Sequence, residues 1–130
     1  MTLTEPDADA ISISDAARAI GVTTHTLRYY ERAGLMLDRV PRATSSHRRY
    51  RAEDVSWVVF LTRLRATGMP IRVLRQYADL VRAGGGNELT RLELLERHRA
   101  RVVEQLTQMQ RHLEAIDFKI DIYRSSGCST

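Results

Sequence analysis

The feature that most constrains the fold is the stretch 90–124, which contains neither glycine nor proline and predicts one continuous helix. Apolar residues recur along it in alternating steps of three and four, a heptad pattern that only Arg99 interrupts. The members of this seam are Leu92, Leu95, Val102, Leu106, Met109, Leu113, Ile116, Ile120 and Tyr123. At about 1.5 Å per residue the helix would be roughly 50 Å long, and one narrow apolar stripe does not stabilise a lone helix in water. The seam therefore predicts a homodimer with a coiled coil over 90–124. Periodicity leaves parallel and antiparallel pairing open, and folding back onto its own domain is the alternative.

The start of this helix is predicted from its capping signals. A run of three glycines indicates a glycine-rich hinge over 81–89. Thr90 and Glu93 have the spacing of a capping box, and Leu89 and Leu94 have that of the hydrophobic staple around it. We therefore expect the long helix to begin at Thr90.

Two short helices joined by a glycine-containing turn are predicted near the N-terminus. A very short strand at 11–13 leads into the first helix, for which Ser14 is a good N-cap. Gly21 lies in the turn, and Thr23 can cap a second helix that begins at Thr24. This arrangement matches the helix-turn-helix, in which the second helix enters the major groove of DNA, although ordinary helical hairpins share the pattern.

The second helix, which Gly34 should end, has two different faces. Leu27 and Tyr30 fall on the side that would face a core. The opposite side carries two guanidiniums, an imidazole and a phenol, which suit phosphates and base edges; its residues are His25, Arg28, Tyr29 and Arg32.

Positive charge is concentrated on this helix and on the segment after it. The whole chain has a net charge of +4 and a pI of about 9.7. From Arg28 to Arg51, seven arginines stand against Glu31 and Asp38, which gives +5 for that stretch alone. Residues 35–50 would form a small β-hairpin, a wing whose basic and aromatic residues reach DNA. These residues are His47, Arg48, Arg49 and Tyr50; a charged, solvated loop is the alternative.

Two more helices should connect the wing to the hinge. The first opens at Ala52 and closes near Gly68, and Pro70 suits the first turn of the next. Trp57 and Phe60 are expected in the core or at its edge, since nothing around them indicates a ligand site.

Three motifs in this order resemble the MerR family of bacterial transcription regulators. They are T-L-R-Y-Y-E-R-A-G-L at 26–35, S-H-R-R-Y at 46–50 and L-R-A-T-G-M-P-I at 64–71. The resemblance implies a mainly α fold: a winged helix-turn-helix, two linking helices and a long helix that forms an antiparallel dimeric coiled coil. It also implies roles at matching positions, with Thr24 and His25 at bases, Arg28 and Tyr29 at phosphates, and His47, Arg48 and Tyr50 on the wing.

The resemblance further implies how such a protein would act. Family members bind pseudo-palindromic promoters as dimers and regulate transcription by distorting the DNA, which acts on RNA polymerase indirectly through the promoter. The alternative is a coiled-coil adaptor or architectural protein whose helix-turn-helix has been repurposed. An enzyme is not expected, because the chain shows no carboxylate pair, nucleophile–base set or phosphate-binding loop.

The signal to which the protein responds is not apparent from the sequence. The chain resembles the aldehyde and electrophile-stress branch most, but Arg63 occupies the position of that branch's cysteine. Metal-sensing members carry cysteines at the start of the long helix and in a loop after it, and this chain has only Cys128, a possible redox-active thiol. We therefore expect no metal and no cofactor.

The expected organisation follows from these assignments. It comprises a flexible acidic tail (1–10), a winged helix-turn-helix domain (11–80), the hinge (81–89), the coiled-coil helix (90–124) and a flexible tail (125–130). The polar, acidic N-terminus does not resemble a signal peptide, and no apolar run is long enough to cross a membrane. A cytoplasmic protein without a membrane partner is the expectation.

Overall fold

Five helices and one two-stranded sheet make up the residues that the computed structural model describes, 10–37 and 49–127. In chain order they are β1 (Ile11–Ser12), α1 (Ile13–Ile20), α2 (Thr24–Arg32), β2 (Arg49–Tyr50), α3 (Ala52–Ala66), α4 (Ile71–Ala83) and α5 (Glu88–Ser125). The predicted mainly α fold is confirmed: a helix-turn-helix, two further helices and one long C-terminal helix. The chain divides into two compact units between Arg91 and Leu92.

The first helix begins two residues earlier than predicted, at Ile13. Ser12, in an extended conformation, is the N-cap, and its hydroxyl oxygen accepts from the Asp15 N–H at 3.1 Å. The prediction of Ser14 as the cap is therefore wrong. Ile13 is buried, and including it in the helix adds an apolar residue to the face of α1 that packs in the core.

The small sheet differs from the predicted hairpin. β2 is a strand, but it pairs antiparallel with β1, with Ile11 opposite Tyr50 and Ser12 opposite Arg49. Residues 35–37, where the first arm of the hairpin was expected, are not a strand, and Leu35 and Met36 are buried in the core. The predicted polar tip, 43–46, and the parts of both arms beside it lie outside the described residues, so the hairpin itself stays a prediction.

The core of the first unit lies among α1, α2, α3 and α4. Its largest fully buried side chains are Tyr50, Leu27, Leu35, Leu61, Met69, Leu74 and Val58. The indole of Trp57 is buried and stacks on the half-buried ring of Tyr77, with ring centroids 5.7 Å apart. Phe60 meets the same ring edge-on at 5.9 Å and is partly exposed. The expectation that Trp57 and Phe60 belong to the core and its edge is confirmed.

The long helix begins at Glu88, so the predicted start at Thr90 is wrong. The Asn87 carbonyl accepts from the Arg91 N–H at 3.0 Å, which makes Asn87 the residue that opens the helical ladder. Thr90 lies inside the first turn, and Leu89 is 81% exposed, so it does not form the predicted hydrophobic staple. α4 continues to Ala83, which leaves 84–87 as the connection between α4 and α5.

No helix within the described ranges is both long and apolar enough to cross a membrane. The exposed surface of α5 instead mixes apolar with charged residues along its whole length.

Candidate nucleic-acid interface

The second helix of the helix-turn-helix presents its polar face to solvent. Leu27 is fully buried and Tyr30 is 5% exposed, which fixes the inward side of α2. The four residues predicted for the opposite side are all exposed: His25, Arg28, Tyr29 and Arg32. Thr24, at the first turn, is half-buried. The structure therefore brings two guanidiniums, an imidazole and a phenol together on one accessible face, which we call the α2 face.

The ends of α2 are fixed by local hydrogen bonds. At the N-terminus the Thr23 hydroxyl oxygen accepts from the Thr26 N–H at 3.0 Å, as predicted. At the C-terminus Gly34 has φ +75°, a left-handed conformation that glycine adopts without steric cost. The Leu35 N–H donates to the Tyr30 carbonyl at 3.1 Å and the Gly34 N–H to the Glu31 carbonyl at 3.3 Å, which is the Schellman motif. The prediction that Gly34 ends the helix is confirmed.

Tyr50 is a core residue, which corrects its assignment as a DNA contact. Its side chain has no exposed surface, and its hydroxyl donates a hydrogen bond to the carboxylate of Glu31. This bond links β2 to α2. Glu31 is the one acidic residue of α2, so its negative charge is engaged with Tyr50 and does not lie on the α2 face.

The remaining wing residues have different positions. The Arg49 guanidinium is half-buried and donates to the Ala10 carbonyl at 2.7 Å, so it helps to hold the strand that precedes α1. His47 and Arg48 lie outside the described residues, and their predicted contacts with DNA stay predictions.

The aromatic residues of α2 are electrostatically distinct. Tyr29 is exposed, whereas burial raises the pKa of Tyr30 above its ordinary value, an effect that the nearby Arg65 charge partly offsets. The two rings lie 6.1 Å apart at 51°. Tyr30 is thus a neutral core residue at physiological pH, while Tyr29 can offer its hydroxyl to a ligand.

Three side chains whose role the sequence did not indicate hold the segment that leaves α2. They donate to four successive backbone carbonyls, those of residues 33–36. The bonds are Arg75 Nε to Ala33 at 3.0 Å, Arg82 Nη1 to Gly34 at 3.0 Å and to Met36, and Trp57 Nε1 to Leu35 at 2.7 Å. Arg75 and Arg82 are seven residues apart and so share one face of α4, a spacing that the sequence does contain.

The predicted seam of α5 is largely exposed in the single chain. Leu106, Met109 and Ile116 are all more than half exposed, and Leu95 and Val102 are half-buried. Four more large apolar residues of α5, outside the predicted seam, are also exposed: Leu89, Val103, Phe118 and Ile122. An isolated helix with so much apolar surface is far from its most stable state in water.

The described residues contain no group of three or more His, Cys, Asp or Glu side chains that could hold a metal ion. Cys128, the possible redox thiol, lies outside the described ranges.

Comparison with a family model gives a match over residues 11–80, to the MerR HTH family of regulatory proteins. An uncharacterized HTH-type transcriptional regulator of Haemophilus influenzae is 31% identical to this chain over 111 residues. That alignment covers 85% of this chain and 82% of the relative.

Two solved structures share the fold. One, from Listeria monocytogenes, is described as a putative MerR family transcriptional regulator; it is 37% identical with a TM-score of 0.82, over 88% of this chain and 86% of its own. The other is HiNmlR, a MerR family regulator lacking the sensor domain, bound to promoter DNA. It is 28% identical with a TM-score of 0.80, over 92% of this chain and 94% of its own.

Proposed function

Because this chain belongs to the MerR HTH family and is a DNA-binding transcription regulator, we propose that it binds a pseudo-palindromic promoter as a homodimer through the α2 face. The dimer regulates transcription by distorting the DNA between its two half-sites. It acts on RNA polymerase through the geometry of the promoter, and it does so in the cytoplasm.

The single observation that carries the proposal is the composition of the α2 face. Its two arginines carry positive charge, and all four exposed side chains can donate hydrogen bonds. The only acidic group of the helix accepts a hydrogen bond from Tyr50. Arginine forms bidentate contacts with phosphates and guanine, and a helix of this kind fits the major groove. The DNA-bound state of HiNmlR supports the same use of the fold here.

The homodimer is supported by the apolar surface of α5. Burying exposed side chains such as Leu106, Met109 and Leu113 against a second copy would remove them from water, at roughly 25 cal/mol per Å² of apolar surface. A two-fold symmetric dimer presents two copies of α2 related by the same symmetry, and such dimers bind half-sites whose sequences are inverted repeats. The family resemblance favours antiparallel pairing of the two helices.

The family resemblance favours distortion of the DNA between the half-sites. Where the separation of the two reading helices differs from the spacing of the half-sites in straight DNA, the intervening DNA must bend or untwist to match, at a deformation cost of order 1–6 kcal/mol.

The test compares DNA binding by the parent with two arginine variants. Arg28→Ala removes an exposed guanidinium from the α2 face, and Arg111→Ala removes an exposed guanidinium from α5, away from the seam. Binding is measured by fluorescence anisotropy over a series of salt concentrations, on the promoter of its own operon and on random DNA of equal length.

We expect Arg28→Ala to weaken binding to both DNAs and to reduce the salt slope by about one for each arginine removed. Arg111→Ala should bind like the parent. Unchanged affinity and slope in Arg28→Ala would overturn the assignment of the α2 face. If the parent protein binds its promoter no more tightly than random DNA, the adaptor alternative is favoured.

A further inference from the structure

The segment 33–36 is held unusually tightly for a chain that has just left a helix. Four successive carbonyls accept hydrogen bonds from side chains of α3 and α4, as described above. Two of the three donors are guanidiniums, and hydrogen bonds from charged donors are stronger than those from neutral ones. We call this set, Trp57, Arg75 and Arg82 on the carbonyls of 33–36, the α2 exit clamp.

The position of the two arginines adds an electrostatic contribution. The carbonyl end of a helix carries partial negative charge, which a nearby cation stabilises. Arg75 and Arg82 lie just beyond the last turn of α2, so they favour one placement of its C-terminus over others. Arg82 is itself oriented by an ion pair with Asp79 one turn earlier on α4, and its side chain is only 31% exposed.

The last turn of α4 contacts the connection to α5 as well. The Asn87 side-chain amide donates to the Leu80 carbonyl at 2.9 Å, and the Asn87 side-chain oxygen accepts from Arg91 Nε at 2.8 Å. Arg82 and Leu80 lie in the same turn of α4. One turn of helix is therefore bonded both to the segment that leaves α2 and to the residues that open α5.

From this arrangement we propose that Arg82, supported by Arg75, is a positioning residue for sequence-specific DNA recognition. Arg82 holds the exit of α2 against the last turn of α4 and so fixes the angle at which the α2 face meets the groove. It does not contact DNA, since its guanidinium is engaged with Asp79 and with the carbonyls of Gly34 and Met36. The inference rests on the proposed role of α2 in reading DNA.

A positioning role predicts a particular pattern of binding. A tilted α2 would misplace its base contacts while keeping its charge, so sequence-specific binding suffers and non-specific binding does not. We expect Arg82→Gln to lower promoter affinity about 10- to 100-fold, the range that a mismatched base pair causes. Affinity for random DNA and the salt slope should stay at the parental values.

The experiment uses the full chain and four variants. Arg82→Gln removes the positive charge, and Arg82→Lys keeps the charge but has a single donor group. Arg111→Gln is the matched control for loss of an exposed charge. Arg28→Ala reports on the α2 face itself. For each we would measure promoter and random-DNA affinity against salt, dimerisation by sedimentation, and thermal unfolding. Arg82→Lys should recover part of the lost preference for the promoter.

The outcomes separate the alternatives. A salt slope reduced by about one for each arginine removed would make Arg82 a phosphate contact, and parental promoter affinity would remove its positioning role. If the affinities for promoter and random DNA both fall in proportion to the folded fraction, Arg82 contributes only to the stability of the fold. If Arg82→Gln does not fold, Arg75→Gln tests the same clamp through its more exposed bond, and an unchanged promoter preference there would overturn the proposal. If Arg28→Ala binds DNA as the parent does, the proposed role of the α2 face has failed. If Arg28→Ala binds more weakly but the Arg82 variants bind as the parent does, only the positioning role has failed.

Discussion

Replacing Tyr50 with phenylalanine should destabilise the protein without removing a DNA contact. The Tyr50 ring is fully buried and its hydroxyl donates to the Glu31 carboxylate, which joins β2 to α2. Phenylalanine keeps the ring and leaves no large cavity, so the main loss is the hydrogen bond. A bond to a charged acceptor contributes about 1.5–3 kcal/mol. For a domain of this size that lowers the melting temperature by roughly 10 °C.

The assay pairs unfolding with DNA binding. Urea unfolding of Tyr50→Phe and the parent is compared at one fixed protomer concentration, because the stability of a dimer depends on concentration. Tyr29→Phe is the matched control: Tyr29 is 40% exposed, so its unfolding free energy should change by less than about 0.5 kcal/mol. The affinity of the folded protein for random DNA should be the same for Tyr50→Phe and the parent.

A double-mutant cycle with Glu31→Gln tests the bond itself. If the two side chains interact as the structure indicates, their effects on unfolding should be non-additive by about 0.5–3 kcal/mol. Parental stability in Tyr50→Phe, together with a reduced affinity for random DNA, would refute this reasoning and restore Tyr50 as a contact to the DNA backbone.

Three further predictions concern the dimer, a helix cap and pH. Met109→Glu, which places a charge on the exposed seam, should shift the protein towards monomer in sedimentation. The control Gln108→Glu lies outside the seam and should stay dimeric. A dimeric Met109→Glu variant would argue against the seam as the dimer interface. Thr23→Ala should cost about 1 kcal/mol in urea unfolding, and a change near zero would show that its cap contributes little. Burial and the Arg101 charge lower the pKa of His98, so its neutral form contributes stability that is present above about pH 6.5 and lost as the pH falls. His98→Gln should reduce the difference in melting temperature between about pH 7.5 and about pH 5.5, and a difference as large as the parental one would contradict this.

Much of the reading helix could be predicted because its signals are local. A threonine cap, a left-handed glycine and a 3.6-residue period all act within a few residues, and the structure has the helix from Thr24 to Arg32 with Gly34 just beyond its end. The start of α5 was misplaced for the same reason. Thr90 and Glu93 satisfy a local rule, but Asn87 also bonds to Leu80 of the preceding helix, and this contact between helices fixes an earlier start.

The sequence by itself determined the mainly α fold, the two faces of α2 and the continuous helix of α5, since periodicity and caps specify these without knowledge of distant residues. Only the tertiary structure decided which way the described wing residues, Arg49 and Tyr50, face. Successive side chains of a strand point to opposite sides, so the pairing of Ile11 with Tyr50 turns the tyrosine into the core and leaves Arg49 half-exposed. The clamp on residues 33–36 likewise depends on side chains more than twenty positions away. Both are long-range contacts that exist only after the helices have packed, and no local pattern of residues encodes them.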